Sequence, residues 1–189
     1  LDTTQSVNVL ESQVLDIWDG YPMERLSIIN YLEGNDIDNV VFVTGDFHST
    51  FAFDIADTVI SEEPTTLYGE ADGYDPLTGE GSVAVEFVTP SISSANFDEN
   101  FGVFLAAGYE FQINNPLNNL LYDNNPNPHM KNVDLDRHGY TLIDVSHDSV
   151  QANWYYVDRL DTISNVEAFD AAYYSKDGEN FLKEGRESP

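Results

Sequence analysis

Asp46 and His48 are the residues of this sequence whose types and spacing best suit metal binding. They stand in the segment Gly45-Asp46-Phe47-His48, directly after a short apolar run, and Gly45 gives the backbone the freedom to bend there. A hard carboxylate beside a borderline imidazole suits a mixed site, with one calcium-like ion and one iron- or zinc-like ion. The motif alone is unspecific, because an Asp and a His after a strand more often make structural hydrogen bonds.

The segments before this pair predict the sheet that would position it. Residues 22–33 begin with a proline that suits a first helical turn, and apolar residues then recur at three-residue spacing, which indicates an amphipathic helix. Residues 39–44 are a short apolar run between turn residues, as in a strand buried on both faces. Such a helix and strand are typical of a layered α/β sheet, whose ligands bind at the carboxyl ends of the strands.

Other patterns predict further strands and a helical segment. Residues 82–89 alternate between polar and apolar types and predict a strand that ends at Pro90. Residues 140–145 and 150–157 flank a turn and predict a β-hairpin. Residues 101–113 are expected to be helical in part.

The remaining segments predict loops within one domain or part of one. Residues 62–81 are rich in acids, glycine and proline, and predict an acidic surface loop. Residues 114–128 are rich in asparagine and proline, and predict a loop with a short helix at residues 117–122. A chain of 189 residues is long enough for one domain with a hydrophobic core.

The charge of the chain restricts its partners. Seven basic and 34 acidic residues give a net charge of −27, which would repel nucleic acids and anionic membrane surfaces and attract cations. This excess is typical of a solubility surface, and a direct role in calcium binding is the alternative. No apolar stretch approaches the roughly 20 residues of a membrane span, so we expect a soluble protein. Cysteine is absent, which excludes disulfides and thiolate metal sites.

Five sequence blocks extend the pattern around Asp46 and His48. They are Trp18-Asp19-Gly20-Tyr21-Pro22 with Glu24-Arg25, residues 40–49, residues 79–87, residues 89–94, and His129-Met130-Lys131 followed by residues 134–140 and 152–155. In this order, from about residue 14 to residue 158, they resemble the PhoD-like family of alkaline phosphatases and phosphodiesterases. The match is to the C-terminal part of the family's catalytic domain.

The resemblance implies an α/β (α+β) fold of the calcineurin-like metallophosphoesterase type, a sandwich of two β-sheets flanked by helices. It also implies hydrolysis of phosphate monoesters and diesters at alkaline pH and export to the periplasm or beyond. Calcium and iron are the implied metals, with zinc or manganese as alternatives. By position, Asp46 would serve the calcium side and His48 the iron side. His129 lies in a family block and is a candidate for substrate binding or for a loop hydrogen bond.

The family's earlier motifs, which supply a bridging Asp and a phosphate-positioning Asn, have no counterpart in this sequence. Without a bridging carboxylate, two cations cannot be held close enough for in-line displacement, so we expect the chain alone to be inactive. Because the chain opens with Leu1, we expect an internal start, with the N-terminal half of the enzyme missing or present as a separate segment. The alternative is a non-enzymatic, acidic calcium-binding module of an exported protein. A carbohydrate-active enzyme built on paired carboxylates is not favoured, because the sequence has no distinctive acid pair on converging strands.

One arginine and three aromatic residues are expected to have structural roles. Arg137 is expected to form a local ion pair with Asp134 or Asp136 rather than to reach a phosphate. Trp18, Tyr21 and Trp154 are expected to be aromatics of the core or of a site wall.

Overall fold

A computed structural model of the chain describes residues 21–56, 74–114, 127 and 129–189. The chain divides into two compact units, Leu1–Ile37 and Asp38–Pro189. Trp18, most of the acidic loop predicted at residues 62–81 and the short helix predicted at residues 117–122 lie outside the described residues.

The described part of the first unit is a helix, α1, at Pro22–Gly34. Pro22 stands in its first turn, where the missing backbone N–H costs no helical hydrogen bond. Ile29 and Leu32 are buried. The helix predicted at residues 22–33 is therefore confirmed. Tyr21 is 57% exposed, so it is not a core aromatic, and a place in a site wall stays a prediction.

Four strands of the second unit form the first sheet, sheet A. They are β1 (Val41–Thr44), β2 (Thr50–Ala56), β3 (Ser82–Val88) and β4 (Met130–Asp134), in the spatial order β1-β3-β2-β4. β1 and β3 are parallel, whereas β2 pairs antiparallel with both β3 and β4. The predicted strand at residues 82–89 is β3. Because β1 and β3 run in the same direction, both of their carboxyl ends lie at one edge of sheet A.

The expectation that the strand at residues 39–44 is buried on both faces is wrong. Val41 and Phe42 are half-buried, while Val43 is 61% exposed. β1 is the end strand in the sheet order, and β3 is the strand with which it pairs in the described part of the chain. An apolar run indicates that side chains are buried but not whether the strand lies in the centre or at the end of a sheet.

The other four strands form an antiparallel sheet, sheet B, in sequence order. They are β5 (Gly139–Val145), β6 (Ser149–Val157), β7 (Glu167–Lys176) and β8 (Lys183–Glu184). β5 and β6 form the hairpin predicted at residues 140–145 and 150–157, with Val145 opposite Val150.

The two sheets pack against each other around one apolar core. Val85 and Phe87 of sheet A belong to the same buried cluster as Ala152, Trp154 and Tyr156 of sheet B. Trp154 is fully buried, as expected, and its indole N–H donates a hydrogen bond to the carbonyl of β3 at Val88, at 3.1 Å. This cluster makes the second unit a β-sandwich.

Two helices accompany sheet A, α2 at Phe97–Phe101 and α3 at Val103–Asn114. Ala106 and Ile113 of α3 share a second buried cluster with Phe51 and Val133 of sheet A. Gly102, with a φ of 106°, separates the two helices. The partly helical segment predicted at residues 101–113 and the predicted sandwich of two sheets with flanking helices are both confirmed.

Candidate functional site

The turn after β1 carries both predicted metal ligands in an uncommon backbone conformation. Asp46 has a φ of 70° and His48 a φ of 62°, so two non-glycine residues adopt the left-handed region within three positions. Such conformations cost on the order of 1 kcal/mol each, and they cluster at functional sites, where the surrounding structure holds them.

This turn places Asp46 and His48 on the same cavity, of about 240 Å³. The opposite wall is the segment that follows β3, residues 89–94. The two walls meet because β1 and β3 are parallel neighbours, and the backbone N–H of Thr89 donates a hydrogen bond to the carbonyl of Thr44 at 3.0 Å. The cavity therefore lies at the carboxyl ends of two adjacent parallel strands, where ligands bind in α/β proteins.

The imidazole of His48 is held by a backbone carbonyl. Its Nδ1 lies 3.0 Å from the carbonyl oxygen of Ala95, in the segment that leads into α2. A carbonyl can only accept a hydrogen bond, so Nδ1 carries the proton in this contact and Nε2 keeps a free lone pair. Histidine ligands of metals are oriented in this way in many proteins.

The opposite wall is a serine-rich turn fixed by its own hydrogen bonds. The hydroxyl of Ser91 accepts from the backbone N–H groups of Ser93 and Ser94, at 3.0 and 2.5 Å, and donates to the carbonyl of Ser94 at 2.8 Å. The carbonyl of Ser91 also accepts from the N–H of Gly139, at the start of β5. The wall is thus anchored to sheet B, and the exposed Ser93 and Ser94 line the cavity.

The residues around the cavity fit metal ions better than a bare phosphate. Among the described residues, its lining comprises Asp46, His48 and residues 89–94, without a lysine or arginine. A phosphate dianion next to Asp46, in a chain with a net charge of −27, would need a cation to offset the repulsion. One carboxylate, one imidazole nitrogen and several hydroxyl groups are a donor set that suits hard and borderline divalent ions.

Comparison with known proteins shows the family. The family model for the PhoD-like phosphatase matches residues 2–154, most of the chain. This chain belongs to the PhoD-like phosphatase family. Alkaline phosphatase D of Bacillus subtilis (strain 168) is 45% identical over 38 residues, which are 20% of this chain and 6% of that protein.

A solved structure described as PhoD has the same fold. It matches with a TM-score of 0.59 at 21% sequence identity, over 92% of this chain and 27% of its own. The PhoD-like chain thus spans about a quarter of that relative. Within the described residues, no helix is both long and apolar enough to cross a membrane.

The third predicted site residue of this PhoD-like chain lies elsewhere. His129 precedes β4, and its ring stacks on that of Phe53, with centroids 5.6 Å apart. Its carbonyl accepts a hydrogen bond from the N–H of Asp54 at 2.9 Å. His129 does not line the cavity of Asp46 and His48. A role in substrate binding stays a prediction, while the ring contact accounts for a structural one.

A second group of acidic residues was missed by the sequence interpretation. Carboxylate oxygens of Glu110, Asp134 and Asp136 all lie within 4.8 Å of one another, as they would around a cation. Burial and the nearby Asp136 and Asp134 raise the pKa of Glu110, although the N–H of Leu135 donates to it at 2.6 Å. Burial and Asp134 also raise the pKa of Asp136. Glu110 lies on a helix remote in sequence, so its acidic character within an apolar segment was the one available signal.

Replacing Glu110 with glutamine is expected to raise the urea midpoint of unfolding at neutral pH. Glutamine keeps an oxygen that accepts from Leu135 and removes the charge that faces Asp134 and Asp136. Folding raises the pKa of Glu110 above its ordinary 4.5, so ionised Glu110 opposes folding above that raised pKa. Well below pH 4.5 the carboxyl group is protonated in both the folded and the unfolded state, and the gain should vanish there.

Urea titrations of both proteins at pH 7 and at about pH 3.5 measure this difference. The exposed Glu80, replaced by glutamine in the same way, serves as the control and should leave the midpoint unchanged. A gain of equal size at both pH values would contradict the explanation.

Proposed function

We propose that this PhoD-like chain supplies the last part of the metal centre of a phosphoesterase that hydrolyses phosphate monoesters and diesters. Asp46 would bind on the calcium side and His48, through Nε2, on the iron side, with zinc or manganese as alternative metals. The observation that carries the proposal is the shared cavity of these two residues, in a strained turn at the carboxyl end of β1. Membership of a phosphatase family supports the reaction type.

Each group of residues around the cavity has its own role in the proposed reaction. Metal ions bound here would neutralise phosphate charge and make a water molecule more acidic for in-line attack. Asp46 supplies negative charge that retains cations in the cavity, and the Ala95 carbonyl keeps His48 in the tautomer that can bind a metal. The hydroxyl groups of Ser93 and Ser94 can donate hydrogen bonds to phosphoryl oxygens from the opposite wall.

We further propose that the chain alone is inactive and that it works with the N-terminal half of the same enzyme, a segment that is missing here or separate. Among the described residues that line the cavity, Asp46 supplies one carboxylate and His48 one imidazole. A two-metal centre needs more ligands than these, including a carboxylate that bridges both ions. By resemblance to the family, the place of action would be the periplasm or the extracellular space.

Metal content and turnover test the assignment. With the N-terminal half added, p-nitrophenyl phosphate should be hydrolysed, and the chain alone should give no turnover above buffer with metals. In the active protein, His48→Ala should lose the iron equivalent and Asp46→Ala the calcium equivalent, measured by elemental analysis. His147→Ala is the matched control, because this exposed histidine lies in the β5–β6 turn away from the cavity. Unchanged metal content in His48→Ala would overturn the assignment.

The non-enzymatic alternative, an acidic calcium-binding module, is not favoured by the comparisons. One observation speaks for it, because the carboxylates of Glu110, Asp134 and Asp136 lie close enough together to bind one calcium ion. Calcium binding without any turnover after addition of the N-terminal half would support that alternative.

A further inference from the structure

The peptide group between Ala95 and Asn96 is held at both ends by side chains of α2. On its carbonyl side, the Ala95 oxygen accepts from His48 Nδ1 at 3.0 Å and from the amide of Asn100 at 3.3 Å. On its N–H side, Asn96 donates to Glu99 Oε2 at 2.8 Å. Because a peptide group is planar, fixing its N–H also fixes the direction of its carbonyl.

Both side chains are themselves held in place. The amide of Asn100 also donates to the carbonyl of Asn96 at 2.9 Å, so it spans two successive backbone oxygens. Glu99 Oε2 lies 3.4 Å from Nε2 of His138, a histidine whose side chain is only 12% exposed. Asn96 is completely buried. The carbonyl that accepts from His48 therefore belongs to a network of contacts with α2.

We propose that Glu99 and Asn100 are positioning residues for the candidate metal centre. They aim the Ala95 carbonyl at His48 and so keep the imidazole in the tautomer with a proton on Nδ1 and a lone pair on Nε2. Neither residue lines the cavity, so they act through His48 alone. The consequence for metal binding rests on the proposed function, whereas the tautomer itself is independent of it.

The tautomer is measured first, in the chain as it is and without metal. Long-range proton–nitrogen NMR spectra of histidine-labelled protein, recorded at alkaline pH with a chelator, distinguish protonated from unprotonated ring nitrogens. We expect His48 to carry its proton on Nδ1, while the exposed His147 serves as the internal reference. A proton on Nε2 of His48 in the unaltered chain would overturn the inference without any variant being needed, and would leave the ligand role of His48 to the metal analysis above.

Variants then test the positioning role. Glu99→Ala and Asn100→Ala should each give a mixture of His48 tautomers, whereas Glu99→Gln keeps an oxygen acceptor for Asn96 and should retain the single tautomer. In the protein with the N-terminal half, Glu99→Ala and Asn100→Ala should weaken metal binding about 10- to 100-fold, with Glu99→Gln near the unaltered value. Unchanged signals of His129 and His147 confirm folding. Unchanged metal affinity in both alanine variants would refute the positioning role, and loss of affinity in Glu99→Gln would do the same.

Discussion

Replacing Asp54 with alanine is expected to lower the free energy of unfolding by about 3–5 kcal/mol. Asp54 is completely buried in β2 and has three partners, all within 3.0 Å. Lys131 forms an ion pair with it, the hydroxyl of Tyr74 donates to it, and so does the backbone N–H of Leu182. Alanine would leave the ammonium group of Lys131, which is 13% exposed, next to an apolar side chain. A buried charge without its partner is the main source of the loss.

Urea denaturation followed by tryptophan fluorescence measures the effect. Asp161→Ala is the control, because this carboxylate is 70% exposed and pairs with Arg159 on the surface, where a change of less than about 1 kcal/mol is expected. Asp54→Asn should lie between the two, since it keeps an acceptor for Leu182 but loses the charge. Burial and Asp54 raise the pKa of Tyr74, so its hydroxyl remains a donor at alkaline pH. An Asp54→Ala protein within 1 kcal/mol of the unaltered one would contradict this account.

Replacing Arg137 with alanine is expected to cost about 2–3 kcal/mol, less than a fully buried pair because the guanidinium is 44% exposed. Its Nε lies 2.5 Å from Asp134 of β4, and both terminal nitrogens lie 2.7 Å from the carboxylate of Asp170 in β7. The group also lies over the ring of Tyr156, 4.0 Å from its centroid. Burial alone would lower the pKa of Arg137, but the carboxylates of Asp170 and Asp134 outweigh burial and raise this pKa above its ordinary value. The guanidinium therefore retains its charge. Arg137 thus ties sheet A to sheet B.

Arg159→Ala is the matched control for this prediction. Arg159 also contacts one carboxylate through two nitrogens, at 2.8 and 3.1 Å, but its partner is Asp161, two residues away and exposed. The two-nitrogen contact is thus shared, while Arg137 additionally contacts Asp134 and the ring of Tyr156 and joins the two sheets. Equal losses in both urea titrations would show that the connection between the sheets adds no stability.

The predicted ion pair of Arg137 with Asp134 is confirmed, and its contact with Asp170 shows what the sequence could not reveal. Local pairs are separated by a few residues and can be inferred from spacing. Asp170 is 33 residues away in sequence, and the two residues meet only because the sheets pack together. The same limit explains why β2 was not predicted, since its central Asp54 is typical of a solvent-exposed position until Lys131 and Leu182 are known to meet it.

Part of the candidate site could likewise be predicted from the sequence, and part of it could not. The types and spacing of Asp46 and His48 indicated a site at the end of β1, and the structure brings both to one cavity. The wall at residues 89–94 was present as a sequence block but without a role. The carbonyl of Ala95 could not be predicted, because every residue has one and only the folded chain shows which carbonyl faces an imidazole. Hairpins and helices were found because their signals are local.

The hydrogen bond from Leu182 to Asp54 has a consequence for how a new chain matures. Its two residues are 128 positions apart, and the hydroxyl of Ser82 similarly donates to the carbonyl of Asn180, 98 positions later. During synthesis the carboxylate of Asp54 therefore lacks this backbone donor until 128 further residues have been added. Contacts between residues so far apart in sequence form late, so the core around Leu182 is completed only after most of this unit has been synthesised.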